Sequence, residues 1–566
     1  MLKKLQGSPL PLGVTVKEDK VNFSVAVPAG KACTLVLYRA GEENPVYTFD
    51  MPEAADTGDV RCLALKEMIP EDFEYNYIID GRVQIDPYVK ALSGCGEFGE
   101  KWEVQSHQVR GKISWPRYNW EEDKKPAIPY HEVIAYTLHI RGFTRHKSSG
   151  VRHKGTFLGV VEKIPYLKQL GINQIQCMPI YEFIEEERGK KNYWGYGPAY
   201  FFAPKSSYAS GGDGVKELKD MVRECHKSGI EVVLEMPFTP DTLPQMALEC
   251  LRYYMLEYHI DGFIINPYQI SWDMVTKDPL LKKEKILCQD SGFQDVMRRY
   301  LKGDEGMVEA VIWALKHNSG KDGKCNYITS HNGFTLWDLV SYDGKHNEAN
   351  GERNRDGAEY NYSWNCGAEG PSRKRNVVQL RKNQAKNALF LLLTAQGTPC
   401  LLAGDEFYNS QEGNNNTYCQ DNELGWVNWG KLRTDDSLFQ FLKRLIALRK
   451  SHPSLHRKDS LKGMDMTACG IPDVSYHGEN AWQVQNEVPS RQLGVLYNDE
   501  GMGDICFVAY NMHWLPHNFA LPALTDGKKW YKVMETKEEG RQGTELLANQ
   551  RVLEMKERDI AFLIGK

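Results

Sequence analysis

The chain has 566 residues, of which 41% are hydrophobic and 26% are charged, and its formal net charge is −5. This balance is typical of a globular protein with several domains and lacks the basic excess of a nucleic-acid-binding or polybasic membrane-associated protein. The longest apolar run, residues 388–395, falls well short of the roughly 20 residues of a membrane-spanning helix, and no apolar signal segment follows the first lysines.

The first part of the chain is predicted to be an all-β domain. Residues 21–27 and 33–40 alternate in the manner of half-buried strands, and Asp80-Gly81 separates two strand-like runs as in a tight hairpin. The polar, proline-bearing residues 115–132 then predict a link. We therefore expect an N-terminal β-sandwich over 1–118.

Between residues 119 and 456 the sequence alternates strand and helix patterns. Residues 132–140 predict a buried strand, residues 157–171 a helix that ends at Gly171, and residues 214–238 a helix followed by an apolar strand. Further strands are predicted at 172–180, 262–266, 285–289, 326–331 and 398–406. This succession favours a (β/α)8 barrel, since an open doubly wound sheet would require a glycine-rich phosphate turn that the sequence lacks.

A last amphipathic helix precedes the C-terminal part of the chain. It carries Leu438, Leu442, Leu445 and Ile446 on one face, and Pro453 helps to end it. The remaining residues, 457–566, return to a β pattern and are predicted to form a small C-terminal β-sandwich.

Three segments resemble the α-amylase superfamily (glycoside hydrolase family 13), and within it the isoamylase and bacterial glycogen-debranching branch. These segments are NYWGYGPAYFFAPKSSYAS (192–210), SHNGFTLWDLVSYDGKHNEANGERNRDG (330–357) and LLAGDEFYNSQEGNNNTYCQDNELGW (401–426). Residues 9–27 and 80–88 are similar to the carbohydrate-binding-type N-terminal β domain of the same branch, and residues 133–146 are similar to its first barrel strand, so the resemblance covers essentially the whole chain. It implies α-1,6-glucan debranching as the ancestral activity.

The catalytic carboxylates that the resemblance implies are missing. Retaining glycosidases place a nucleophilic and an acid/base carboxyl group across the scissile bond, and the family adds a third carboxylate. The matching positions hold Asn266, Cys288 and Asn332, and Ile264 replaces the usual arginine. An amide supplies neither the charge nor the ester intermediate, so we expect no intact catalytic residue and treat these positions as vestigial.

The loops that wall the substrate cleft in relatives are also short. Only a brief segment separates Glu235 from the next helix, with Thr239 and Pro240 in place of the family's Asn and His, and residues after Cys288 run almost directly into another helix. Because barrel function resides in these loops, their loss indicates decay of the active site.

Other residues remain candidates for binding or for relocated chemistry. The resemblance assigns sugar stacking to Tyr196 with Trp194 and a sugar hydroxyl contact to His331; core packing is the alternative for each. Glu235 and Asp290 are candidates for relocated acids, although Asp290 also suits a helix N-cap or a loop. Asp405 and Glu406 are expected to belong to the framework, and the asparagine-rich 411–423 lacks the spacing of a calcium loop.

These observations favour a catalytically inactive isoamylase-like protein that binds α-glucan (glycogen or starch type) or supports an active debranching partner. The alternatives are an active α-1,6-glucosidase with relocated acids and a scaffold without sugar binding. No cofactor is expected. The thirteen cysteines lack CxxC spacing, which predicts reduced thiols in a cytoplasmic protein and no metal site. A homo-oligomer is left open; nucleic-acid and membrane partners are not expected.

Overall fold

The computed structural model describes residues 2–113, 117–187, 189–525, 527–537 and 543–566. It confirms an N-terminal β-sandwich, a central barrel of parallel strands and a C-terminal β-sandwich. Trp115 and Pro116 of the predicted link lie outside the described residues. The domain limits at 118 and 456 therefore stay predictions.

The N-terminal domain packs two antiparallel sheets around a core of its own. Its strands are β1 Lys3–Gln6, β2 Gly13–Lys17, β3 Lys20–Ala26, β4 Cys33–Arg39, β5 Pro45–Asp50, β6 Val60–Lys66, β7 Phe73–Ile79, β8 Arg82–Gln84, β9 Leu92–Ser93 and β10 Arg110–Lys112. One sheet has the order β1-β6-β3-β2 and the other β5-β4-β7-β10-β9, with β8 on β7. Asp80 (φ 49°) and Gly81 (φ 75°) join β7 to β8, which confirms the predicted tight hairpin, because its two central residues need positive φ.

Six parallel strands form most of the central barrel. The strands of this part of the chain are β11 Ala135–Leu138, β12 Gln174–Cys177, β13 Tyr181–Phe183, β14 Glu186–Glu187, β15 Lys190–Lys191, β16 Ala199–Pro204, β17 Glu231–Met236, β18 Gly262–Ile265, β19 Lys285–Leu287 and β20 Cys400–Leu402. The parallel sheet runs β19-β18-β17-β12-β11-β20, while β13 to β16 form two hairpins outside it. All its strands are buried, as a sheet covered by helices requires.

Residues 324–326 close the ring of strands. In the described residues the ring therefore has seven strand positions, which are the six strands of the parallel sheet and the segment 324–326. Cys288, just after β19, pairs in parallel with Lys324, and Asn326 pairs with Pro399, just before β20. The predicted strand 326–331 does not continue, since the Ile328 carbonyl accepts hydrogen bonds from the side chains of Gln294 (3.1 Å) and Arg298 (2.7 Å) instead of from a strand.

Helices surround the barrel. They are α1 Ile140–Arg145, α2 Phe157–Val161, α3 Ile164–Leu170, α4 Gly214–Lys227, α5 Pro244–Tyr258, α6 Trp272–Thr276, α7 Gly292–Lys302, α8 Val308–Lys316, α9 Leu336–Leu339, α10 Arg375–Thr394, α11 Gly430–Thr434 and α12 Ser437–Ser451. The single helix predicted over 157–171 is divided into α2 and α3, because Pro165 in the first turn of α3 cannot donate a backbone hydrogen bond. Gly171 (φ 102°) ends α3, as predicted.

The C-terminal helix and sandwich follow the predicted pattern. In α12, Leu438, Leu442, Leu445 and Ile446 are all buried. The strands after it are β21 Val474–His477, β22 Gln492–Asp499, β23 Asp504–Asn511, β24 His517–Ala520, β25 Trp530–Glu535, β26 Glu545–Leu546, β27 Val552–Met555 and β28 Asp559–Gly565. One sheet has the order β21-β22-β23-β28-β25-β26, and β24 pairs with β27.

Among the described residues, none of the helices combines the length and the apolar character that crossing a membrane requires.

Candidate functional site

A small cavity lies inside the barrel and reaches toward the carboxyl ends of the strands. Its volume is about 40 Å³, whereas pockets for organic ligands usually span about 300–1,000 Å³. It has room for water and none for a sugar ring. Fourteen residues line it: Thr137, Gln176, Cys177, Glu235, Ile264, Leu287, Cys288, Gln289, Cys325, Tyr327, Thr329, Ser330, His331 and Cys400.

Tyr196, Glu235 and His331 form a hydrogen-bonded group at the mouth of this cavity. The Tyr196 hydroxyl donates to Oε1 of Glu235 at 2.7 Å and lies 2.6 Å from Nε2 of His331. Because the single hydroxyl proton goes to the carboxylate, Nε2 of His331 carries a proton and donates to the Tyr196 oxygen. Burial lowers the pKa of His331, although the nearby Glu235 opposes this, so the imidazole is neutral at pH 7. Burial, reinforced by Glu235, raises the pKa of Tyr196.

Gln289 completes the group and is a residue that the sequence analysis missed. Its Nε2 donates to the same Oε1 of Glu235 at 3.1 Å. The sequence contained a signal for this residue. Gln289 follows Leu287 by two positions, and alternation along a strand places both side chains on one side. Glu235 therefore receives two donors on one oxygen, an arrangement that holds it in place.

Trp194 supports this group from behind. Its ring lies edge-on to Tyr196 at 5.8 Å and to His331 at 5.1 Å. Only 5% of Trp194 is exposed, so its faces are occupied by protein. Tyr196 is half-buried. The structure thus brings Trp194, Tyr196, His331 and Glu235 together. Packing against its neighbours explains the position of Trp194.

Asn266 and Asn332 lie outside the hydrogen-bonded group, and both are exposed. The Asn266 side-chain oxygen accepts a hydrogen bond from the backbone N–H of Tyr268 at 3.0 Å. Such an Asx turn is a common local use of asparagine, and it ends the segment after β18. Neither amide lines the cavity.

Cys288 and Asp290 follow β19, but only Cys288 lines the cavity. Burial raises the pKa of the Cys288 thiol, with Lys324 opposing, so the group is a neutral thiol at pH 7. Asp290 pairs with Lys324 and accepts a hydrogen bond from the Gly292 N–H at 3.0 Å. Burial acts to raise the pKa of Asp290, but these donors outweigh it and lower the pKa. Asp290 is therefore ionised at neutral pH and has no proton to give.

Asp405 and Glu406 make framework contacts. Asp405 accepts from the Leu336 N–H at 2.8 Å and from the Thr329 hydroxyl. Glu406 accepts from the Tyr136 and Tyr166 hydroxyls at 2.7 and 2.6 Å. Both carboxyl groups are buried below the site.

The asparagine-rich segment joins two loops to each other. Asn415 accepts from Nδ2 of Asn347 at 2.8 Å, Nδ2 of Asn414 donates to Asn350 at 3.0 Å, and Nδ2 of Asn416 donates to Asp356 at 2.9 Å. These groups bond mainly to one another, so loop structure accounts for the conspicuous composition.

Two family models match the chain. The model described as alpha amylase, catalytic domain, matches residues 138–238, and carbohydrate-binding module 48 (isoamylase N-terminal domain) matches residues 11–89. The first match ends just after β17 and includes Trp194, Tyr196 and Glu235.

Curated relatives align along nearly the full chain. Isoamylase 1, chloroplastic, of Arabidopsis thaliana is 31% identical over 94% of this chain and 84% of its own length. The glycogen operon protein GlgX homolog of Mycobacterium tuberculosis is 30% identical over 94% of this chain and 93% of its own. The two alignments run over 677 and 675 positions against the 566 residues of this chain, so the relatives carry residues that this chain lacks.

A solved structure of pullulanase from Paenibacillus barengoltzii, in complex with maltohexaose and alpha-cyclodextrin, shares the fold. It superposes with a TM-score of 0.75 over 98% of this chain and 95% of its own, at 19% identity.

Proposed function

Because the chain belongs to the isoamylase and glycogen-debranching branch of the α-amylase family, we propose that it is a catalytically silent member that binds α-glucan or supports an active glucan-metabolising partner. Glucan binding is supported by the match of residues 11–89 to a carbohydrate-binding module. A cytoplasmic location stays a prediction.

One observation supports the proposal that the protein is catalytically inactive: Glu235 is the only carboxylate among the residues that line the cavity in the described part of the chain. Retaining and inverting glycosidases both require two carboxyl groups that flank the scissile bond, about 5–5.5 Å or about 6.5–9.5 Å apart. Glu235 has no such partner, and its oxygen is engaged by Tyr196 and Gln289. The amides at Asn266 and Asn332 cannot replace the missing group.

The seven-position ring supports the same proposal. Between β18, which precedes Asn266, and the segment 324–326, which precedes His331, the described chain has the single strand β19. An eight-position ring places two strands there. The region that would hold the acid/base residue has therefore lost a strand position, and the assignment of Cys288 to that role stays a prediction.

Short connections at the carboxyl ends of the strands also support the proposal of an inactive barrel. Residues 237–243 link β17 to α5, and residues 288–291 link β19 to α7. Because binding clefts of barrels are built from these connections, the barrel offers a polysaccharide little binding surface. We infer that glucan binding is carried in large part by the N-terminal domain.

An active α-1,6-glucosidase with relocated acids is the second candidate. It would pair Glu235 with Asp290. The lowered pKa of Asp290 and its ion pair with Lys324 argue against a general acid, which needs a raised pKa. The third candidate is a scaffold without sugar affinity. The burial of Trp194 is the observation that supports it.

Two measurements on one preparation distinguish the three candidates: co-sedimentation with glycogen and release of new reducing ends. The silent binder sediments with glycogen and releases none. An active enzyme releases reducing ends, and a pure scaffold does neither.

A further inference from the structure

Three side chains of different chemistry converge at the junction of the barrel and the C-terminal domain. Nδ1 of His452 lies 2.6 Å from Oδ1 of Asp504, and Sγ of Cys506 lies 3.4 Å from each of these two atoms. Within the described residues, they are the one group of three histidine, cysteine or carboxylate side chains close enough to share a metal ion.

The local structure explains why they meet. Asp504 and Cys506 are two residues apart on β23, so alternation points both side chains to one side of the strand. His452 is the residue at which α12 ends. The fold brings this helix end onto β23, and no spacing in the sequence announces the group.

We propose that His452, Asp504 and Cys506 bind one divalent transition-metal ion of the zinc class. Imidazole nitrogen, carboxylate oxygen and thiolate sulfur are the ligands that Zn²⁺ takes, at about 2.0–2.3 Å. Tetrahedral geometry at those bond lengths sets the ligand atoms about 3.3–3.6 Å apart. Both contacts of Cys506, at 3.4 Å, have this spacing. The His452–Asp504 contact, at 2.6 Å, would open by about 0.7 Å on binding.

Neighbouring groups suit the role. The backbone N–H of Ser454 donates to the other oxygen of Asp504 at 3.0 Å, which leaves Oδ1 directed at His452 and Cys506. Such outer contacts orient metal-binding carboxylates. The His452 and Asp504 side chains are 17% and 11% exposed, so water reaches the fourth position.

A nucleophile triad is the competing interpretation, and the geometry disfavours it. In such a triad the thiol and the carboxylate contact opposite nitrogens of the imidazole. Here both contact Nδ1 of His452, and Cys506 is fully buried. A shared metal position explains the convergence on one nitrogen. The ion would tie the end of the barrel to the C-terminal sandwich and so stabilise their junction.

The test uses the full chain, stripped with a chelator and titrated with Co²⁺, whose thiolate complexes absorb strongly. We expect a charge-transfer band that saturates at one ion per chain and is displaced by Zn²⁺, and an increase in Tm with Zn²⁺. Absence of the band overturns the proposal.

Variants separate this site from the other cysteines of the chain. Cys506→Ser should abolish the band, whereas Cys469→Ser, a half-buried thiol of the same domain, should keep it. Should Cys506→Ser fail to fold, His452→Gln must weaken Co²⁺ binding at least tenfold. A band that persists in Cys506→Ser, or an affinity unchanged in His452→Gln, places the metal elsewhere and contradicts the assignment.

Discussion

The hydroxyl of Tyr196 donates to the carboxylate of Glu235 at 2.7 Å, inside a barrel whose cavity has no second carboxylate in the described residues. In an active glycosidase the corresponding space must admit a sugar between two acids. In this chain the space is closed by side chains that bond to one another. We therefore propose a structural role for the contact between Tyr196 and Glu235, and stability is the property that tests it.

Tyr196→Phe should lower the free energy of unfolding by about 1–3 kcal/mol, because it leaves a buried carboxylate short of a donor. Gln289 still donates to Glu235 in the variant, so the loss stays in this range. Denaturant titration measures it. Tyr268→Phe, at a residue that is 94% exposed, is the matched control and should change nothing measurable.

Restoring the three acids should not restore catalysis. The triple variant Asn266→Asp, Cys288→Glu, Asn332→Asp is expected to release no reducing ends from glycogen limit dextrin, since the ring has seven strand positions in the described residues and the connections 237–243 and 288–291 are short. Debranching by this variant at a rate near that of an active relative would show that the cleft survives.

Asn415→Ala should destabilise the protein by about 2–5 kcal/mol. The fully buried side chain accepts from Asn347 and donates to the Ala358 carbonyl and Asn361 at 2.8 and 2.9 Å, and alanine leaves these groups unpaired. Thermal and denaturant unfolding report the loss. A comparable loss for the exposed Asn44→Ala would mean that the network has no special role.

Stability should fall between about pH 4 and pH 7 through Asp405. Burial raises its pKa from 3.8 to about 7. The native state therefore holds a proton that the unfolded state has lost in this window, and the stabilisation present below pH 4 disappears as pH rises through the folded pKa. Asp405→Asn should remove on the order of 2–4 kcal/mol of this pH dependence. Its denaturation curves, compared with those of the exposed Asp56→Asn, test the sign.

Tyr196→Ala tests how much of glucan binding lies at the barrel. If the N-terminal domain carries most of it, the variant should keep glycogen affinity within about threefold, which corresponds to less than about 1 kcal/mol. Trp313→Ala, at a 62% exposed residue of α8, controls for the loss of an aromatic ring. A loss of binding confined to Tyr196→Ala would move the binding site to the barrel.

Local features were predictable and ring closure was not. The Asp80-Gly81 hairpin and the buried face of α12 depend on neighbouring residues, so pattern alone finds them. The predicted strand 326–331 does not continue because the Ile328 carbonyl bonds to side chains of α7, a relation between residues far apart in sequence.

The candidate site was predictable to a similar extent. The motif resemblance identified Trp194, Tyr196, His331 and Glu235 as candidate site residues, and the structure places them together. The resemblance did not show that Gln289 joins them or that Lys324 pairs with Asp290, because the first contact depends on how the residues after β19 meet β17 and the second on how they meet the segment after α8. The convergence of His452 on β23 had no sequence signal at all.

The most direct test is incubation of the purified protein at high concentration with glycogen limit dextrin, with new reducing ends measured over hours. We expect no release above a buffer blank, because Glu235 is the one carboxylate that lines the cavity among the residues the structure describes. Release that scales with protein and vanishes in Glu235→Gln would contradict this account, since it would show that Glu235 works with an acid brought in from elsewhere.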